Sequence, residues 1–510
     1  MPTDDSHDDG LGGWRSRLED LAARRLRARA MGGADKLERL HASGALDARQ
    51  RIERLLDPGS FSELGTLVGA VSEQAAADAF PAGFGHIEGR PVLVGAEDFS
   101  VKGGSIGLGA ADKRHRLTQL ALEEGVPLVF MLHGAGHRVT NALRGHGRTP
   151  NDLQGLVDLS GQVPTVCLVL GPSAGHGALA APLMDFAVMT QSAALFSAGP
   201  PLVEAAIGEQ ITKEDLGGPD VHVVQSGVVH NRVDDDAAAI ALARRYLGYF
   251  PSNAHGRAPL SSGEATGRRS LDGILAIVPA DDRRPYAMRK VMDLLVDEDS
   301  LLEIQPEFGH SLRTALARLG GQPVAIVAND PSRRAGTLDR NAAEKGARFL
   351  EIVGAFGLPV VFLADNPGVM AGSAAERAGA LRAAARLFAA QRRLRVPKLH
   401  VTLRKAFGFG SSAMAMNPFD RQTLSLAFPG AVLGAMPARG GGTAAHADTG
   451  RQAELDAAEQ AGPWRIADSM GFDEIIDPRE LRNALLDGLA LTAARAARAT
   501  GPRGRIGTLP

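Results

Sequence analysis

Residues 162–177 read QVPTVCLVLGPSAGHG, and residues 395–410 read RVPKLHVTLRKAFGFG. In each, a β-branched apolar run opens into small residues and glycines and then into a helix-like segment. The recurrence asks whether the chain repeats itself, and further landmarks answer it. GRPVLVGAED (89–98) resembles GQPVAIVAND (321–330), with Pro91 and Pro323 separated by 232 positions. The pairs Gly104 and Gly336, Lys113 and Lys345, and Pro127 and Pro359 keep the same separation, and Pro164 and Pro397 are 233 apart. Five landmarks in one register identify a tandem duplication.

Each copy reads as strands alternating with helices. In the first, VLVGAED (92–98) is a predicted strand, ADKRHRLTQLALEEG (111–125) a helix and PLVFMLH (127–133) a buried strand entering GAGHR. In the second, AAEKGARFLEIVGAFG (342–357) is the helix and LPVVFLADNPG (358–368) the strand and turn. Such alternation predicts parallel strands with crossovers and ligands beyond their carboxyl ends. A Pro/Gly/Ser-rich linker is expected within residues 240–270.

Composition narrows the class. A chain of 510 residues calls for two or more domains. A net charge of −2 with 22% charged residues gives no global attraction to nucleic acid or anionic membrane. Apolar stretches such as LPVVFLA (358–364) fall short of the roughly 20 residues of a spanning helix. The acidic start MPTDDSHDDG lacks an apolar signal region, so a cytoplasmic protein is expected. Cys167, the single cysteine, excludes an intrachain disulfide and reads as core filling. The basic helix RSRLEDLAARRLRARA (15–30) reads as a solvated face, and the terminal AARAARATGPRGRIGTLP as a mobile tail.

A strand that feeds a small-residue turn and a helix start presents backbone N–H groups with no internal acceptor. Such a turn can hold a phosphate or an oxyanion developing on a carbonyl. Neither turn carries a P-loop lysine or G-x-G-x-x-G spacing, which leaves the oxyanion. Gly175 and His176 in one copy, and Phe409 and Gly410 in the other, are the candidate donors. Two turns imply two carbonyl substrates; the alternative is that the glycines only let helix and strand pack closely.

In its motifs the chain resembles the carboxyltransferase (β) subunits of the biotin-dependent propionyl-, acetyl- and methylcrotonyl-CoA carboxylases. The matching stretches include ARQRIERLLDPGSFSELG (48–65), EDFSVKGGSIG (97–107), GPPLVEAAIGEQITKEDLGGPDVHVVQSGVVH (199–230) and SMGFDEIIDPRELRNAL (469–485). The resemblance implies an α/β fold of two tandem crotonase-like (ClpP/crotonase) ββα-superhelix domains. Their expected boundaries are 36–255 for the biotin side and 256–510 for the acyl-CoA enolate side, after an N-terminal extension, 1–35. It implies CO2 transfer from carboxybiotin to an acyl-CoA, and a dimer-based homo-oligomer, a hexamer in the family pattern. Biotin rides on a separate biotin carboxylase/carrier α subunit, since no Met-Lys biotin-acceptor pair occurs here. By the same resemblance Gly175-His176 stabilises the biotin ureido oxygen and Phe409-Gly410 the enolate. Gly134, Ala135, Gly136, Gly177, Gly408, Ser411 and Ser412 line the substrates, and no metal is expected. The family alternatives are a decarboxylase or transcarboxylase running the site in reverse, and a non-catalytic scaffold subunit.

The chain departs from the family pattern at its turns. Two adjacent glycines usually stand where this chain has Gly175-His176, and Gly-Gly-Ala where it has Gly408-Phe409-Gly410. The family's Asp-Ser-Gly-Gly-Ala-Arg stretch is HGAGHR (133–138) here. Ser412 stands at the acyl-selecting position, often acidic in propionyl-CoA enzymes. His133, His137 and His176 are the candidate acid–base side chains, against the commoner reading of packed or solvated imidazoles. His222 and His230 read as structural.

Overall fold

A computed structural model describes residues 8–70, 77–144, 151–261 and 267–498. The chain forms two compact units: Met1–His222 with Arg232–Arg244, and Val223–Asn231 with Arg245–Pro510. Each is built on a sheet of eight strands among the described residues. The basic terminus beyond Arg498 lies outside those residues.

In the first unit, β1 (Ala82–Ile87), β2 (Arg90–Ala96), β3 (Leu128–Gly134), β4 (Thr165–Ala174) and β5 (Phe186–Thr190) lie side by side in that order, and β6 (Ala194–Phe196) pairs with β4. The second unit repeats this as β7 (Leu312–Leu319), β8 (Gln322–Asn329), β9 (Val360–Asn366), β10 (Lys398–Phe407) and β11 (Leu424–Ala427), with β12 (Val432–Gly434) on β10. The duplication holds in the register. Leu93 lies opposite Leu128, and Ala325 opposite Val360, each member 232 positions on. The register shift between Leu132 and Gly134 recurs between Ala364 and Asn366 at the same separation.

The all-parallel expectation needs one correction. β1–β2 and β7–β8 are antiparallel hairpins. Glu88 and Gly89 take φ of 52° and 73°, and Gly320 and Gly321 take 64° and 74°. Two consecutive left-handed residues make the tight turn that matches strand twist, and two residues cannot carry a parallel crossover. The predicted linker is also shorter than expected, because the helix Asp236–Leu247 occupies its beginning and Tyr246, Leu247, Tyr249 and Phe250 are buried.

Helices α1 (Leu108–Glu124), α2 (Asp152–Leu159) and the short α3 (Gly175–Ala178) accompany the first sheet; α4 (Arg340–Ala355), α5 (Ala380–Arg393) and α6 (Gly408–Ala413) accompany the second. α1 stops at Gly125, which is left-handed at φ 63°. α4 starts at Asp339, whose carboxylate accepts from the Ala342 amide. The central strands β3 and β9 are buried along their whole length. This is the pattern of strands covered on both faces. Cys167 is fully buried within β4, and burial pushes its thiol up. The helix Asp8–Arg29 exposes Trp14, Leu18 and Leu26. No described helix is long and apolar enough to cross a membrane.

His400 in β10 fastens the start of the following helix. It is fully buried, with Nδ1 2.7 Å from the Met414 carbonyl at the end of α6 and Nε2 2.7 Å from the Thr402 hydroxyl. The carbonyl can only accept, so Nδ1 carries the proton and neutral Nε2 accepts from Thr402. Burial pushes this imidazole down to about 4.

Two predictions follow from the packing. Phe130 and Phe362, fully buried at matching positions of β3 and β9, should each cost about 3–5 kcal/mol when replaced by alanine. Hydrogen exchange should place the loss in the unit that carries the substitution. For His400, the unfolded chain binds a proton near pH 6.5 while the folded chain resists until about 4. Its stabilising contribution is therefore whole above pH 6.5 and is lost as pH falls toward 4, by about 3 kcal/mol. Urea unfolding across that window should be flatter for His400→Gln than for the parent chain.

Candidate active site

β4 ends where Gly175 turns left-handed at φ 56°, and α3 begins there. The left-handed turn favours a residue without a Cβ. The opening N–H groups of the helix lack intrahelical partners. The loop after β3 packs directly on this turn: Gly134 lies opposite Ser173, and a Cβ on Gly136 would stand 2.5 Å from the Ala174 carbonyl. Gly136 is itself left-handed at 76°. A third segment joins them, since the Ala135 amide donates to the Gly103 carbonyl (3.0 Å) and the Ile106 amide to the Gly136 carbonyl (2.8 Å). Gly134, Ala135, Gly136, Gly175, His176 and Gly177 thus converge at the carboxyl ends of β3 and β4.

The second unit rebuilds the arrangement. Gly408 is left-handed at φ 54° and opens α6. Ser411 donates to the Gly408 carbonyl at 2.7 Å and is buried, while Ser412 is half-buried. A Cβ on Gly410 would overlap the Asn366 side-chain oxygen and stand 2.8 Å from the Gly368 Cα. Asn366 is fully buried; its oxygen accepts from the Gly368 amide (3.0 Å) and its amide donates to Asn329 (3.1 Å). Phe409 is 43% exposed and lies against Phe388 of α5, ring centroids 5.2 Å apart.

Gly368 and Asn366 also border the second turn, and sequence reasoning missed them. They stand 232 positions after Gly136 and Gly134, so the repeat offset itself was the signal.

Beneath the first turn runs a buried chain of charge. His176 Nε2 lies 2.5 Å from Asp152 Oδ1, Arg114 Nε donates to Asp152 Oδ2 (2.6 Å), and Arg114 Nη1 donates to Glu97 Oε1 (3.1 Å). The Arg114 guanidinium also sits over the Phe80 and Phe130 rings. Burial works to raise the Asp152 carboxyl, but Arg114 and the His176 bond outweigh it and hold it well below the carboxylate range. For Glu97 burial wins over Arg114 and the His133 amide, and its carboxyl is pushed up.

The three candidate histidines separate. His133 is buried, stacked on Phe99 at 4.4 Å and beside Arg51, and burial with that neighbouring cation pushes it down to about 3. It is a packed, neutral ring. His137 and His176 meet edge to face at 5.5 Å. Among the described residues no group of three His, Cys, Asp or Glu side chains is arranged to hold a metal.

A cavity of about 770 Å³ in the first unit is lined by Lys36, Arg39, Phe99, His133 and Lys213, and it meets β4 at Gly171 and Pro172 without reaching Gly175–Gly177.

The family model described as the carboxyl transferase domain matches residues 39–506. The methylmalonyl-CoA carboxyltransferase 12S subunit of Propionibacterium freudenreichii subsp. shermanii is 33% identical, over 97% of each chain. The propionyl-CoA carboxylase carboxyltransferase subunit of Haloferax mediterranei is 31% identical, over 97% of this chain and 99% of the relative. A crystal structure of transcarboxylase 12S, with methylmalonyl-coenzyme A and methylmalonic acid bound, superposes with a TM-score of 0.89 at 33% identity, covering 97% of this chain and 99% of that one. Paired glycine turns on a duplicated crotonase-like α/β fold, matched from end to end by these relatives, make the chain a member of the carboxyl transferase family of biotin-dependent enzymes.

Proposed function

We propose that the chain is the carboxyltransferase component of a biotin-dependent acyl-CoA carboxylase. It moves CO2 from carboxybiotin, borne by a separate carrier subunit, to the α- or vinylogous carbon of an acyl-CoA. The observation that carries this reading is the recurrence of one turn: Gly175 at φ 56° and Gly408 at φ 54°, each between a strand and a helix start. A Cβ on Gly136 would collide with the Ala174 carbonyl and one on Gly410 with Asn366, so these glycines let the loops after β3 and β9 pack tightly against the two turns and hold them in place.

In this reading the amides of Gly175, His176 and Gly177 hold the ureido oxygen, with Gly134–Gly136 as the opposite wall. Those of Gly408, Phe409 and Gly410 hold the thioester oxygen, with Ser411 and Ser412 beside it. Backbone donors fixed by folding need no reorganisation as charge develops, which is why each is worth about 2.7–4 kcal/mol in the transition state. Carboxybiotin, as the donor substrate, supplies CO2 and a ureido nitrogen that takes the α-proton. The chain's task is then to position two oxygens and exclude water. The first domain, 36–255, would work against the second domain, 256–510, of another copy within a hexamer, with 1–35 as an extension. A transcarboxylase using the same site in the opposite direction is the second reading, favoured by the likeness to the methylmalonyl-CoA carboxyltransferase 12S subunit.

Purified chain with its biotinylated subunit should fix bicarbonate in an ATP-dependent way on at least one member of an acyl-CoA panel. Failure on every member, with decarboxylation of methylmalonyl-CoA stimulated by free biotin, would favour the reverse reading; failure of both would leave a scaffold. Gly175→Ala and Gly408→Ala force a side chain into a left-handed turn. Each should lower the transfer rate about 10²–10³-fold. Isothermal titration should show acyl-CoA binding lost mainly in the Gly408 variant.

A further inference from the structure

The side chain of His176 is as well anchored as its amide, and the resemblance offers no precedent for it, since glycine is usual at that position. Its Nε2 faces an Asp152 carboxylate that is 2% exposed and kept ionised by Arg114, which is itself fully buried. An ionised carboxylate only accepts, so the Nε2 proton is fixed there and Nδ1 becomes the ring's other hydrogen-bonding atom. The imidazole is 21% exposed, at the second residue of α3. His137 stands edge-on to it, replacing the family's usual alanine, and its Nδ1 faces the Asn141 amide at 3.0 Å. The Asn141 amide nitrogen donates, so the His137 Nδ1 accepts and the proton of a neutral His137 sits on Nε2. Two departures from the family pattern therefore place two imidazoles, each with a proton on Nε2, face to edge at one turn.

We propose that His176, oriented by Asp152 and flanked by His137, is a catalytic residue that adds a side-chain hydrogen-bond donor to the main-chain donors of the first turn. The proposal rests on the functional reading above, because the acceptor is the oxygen held at that turn. When the carboxyl–nitrogen bond of the donor substrate breaks, CO2 departs and the electron pair stays behind with its charge on the ureido oxygen. The imidazolium form of His176 then donates from Nδ1 to that oxygen, while Nε2–H stays on Asp152. A charge-assisted donor aimed at developing charge is stronger than a neutral amide. Among the described residues, the ionisable groups facing the ring are Asp152 from α2, His137 from the loop after β3, and, through Asp152, Arg114 from α1 and Glu97 at the end of β2. A Cβ on Gly177 would stand 2.8 Å from Glu97 Oε1, so this chain of groups underlies the whole turn.

Three variants of the full chain with its biotinylated subunit test this: His176→Gly, which restores the family residue, His176→Asn and Asp152→Asn. The transfer rate should fall about 10- to 100-fold in His176→Gly, the loss of one charge-assisted hydrogen bond. The acyl-CoA KM should stay near the parent value. The pH–rate profile of the parent should contain a limb that both His176 variants lack. Independently of turnover, free biotin should shift the 15N resonances of His176, less so in Asp152→Asn. A parent-like rate and pH profile in His176→Gly, or His176 resonances indifferent to biotin, would overturn the inference. If the parent chain transfers carboxyl to no acyl-CoA, the functional reading fails, while the biotin titration still decides whether His176 meets the ureido group.

Discussion

Everything at the candidate site depends on one backbone constraint: the chain must leave a strand and enter a helix through a single left-handed residue. Gly175 and Gly408 satisfy it with φ of 56° and 54°. The constraint fixes which amides point outward, because the helix that follows has its opening N–H groups unpaired. It also fixes the neighbours. The loop after β3 comes within van der Waals distance of the first turn at Gly136, and the loop after β9 closes on the second at Gly368. Two such turns in one chain are the physical ground for a reaction that needs two oxygens stabilised.

Much of this was legible in the amino-acid order, for a definite reason. Strand register and turn residues change little when a fold is duplicated, so prolines and glycines kept a 232-residue separation that plain inspection finds. The same separation carries through the pairing of Leu93 with Leu128 and of Ala325 with Val360. What alternation of strands and helices could not reveal was the antiparallel edge: the mark of a two-residue hairpin is local, a single glycine at Glu88-Gly89 and a glycine pair at Gly320-Gly321, and alternation does not weigh it. The linker was overextended for a related reason: Tyr246 and Phe250 sit in a stretch whose glycines and prolines suggest a loop, yet both rings are buried.

The His176–Asp152 pair was out of reach of pattern reading. Its members are 24 positions apart on separate helices, and although His176 lies in the first glycine turn, Asp152 belongs to no motif. Only the packing of α2 against the turn brings them together. The contrast between copies is instructive. Beneath the second turn Asn366 bonds Asn329, and the neighbouring Asp365 is paired with Arg404. Beneath the first runs a chain of alternating charge ending in an imidazole.

The most direct measurement of the central claim is a structure of the assembled protein with biotin and an acyl-CoA bound together. The account places the ureido oxygen about 2.7–3.1 Å from amides of Gly175–Gly177 and the thioester oxygen at the same reach from amides of Gly408–Gly410. An acyl-CoA thioester or a biotin ring settled instead in the cavity beside Lys36 and Lys213, with both turns untouched, would contradict it.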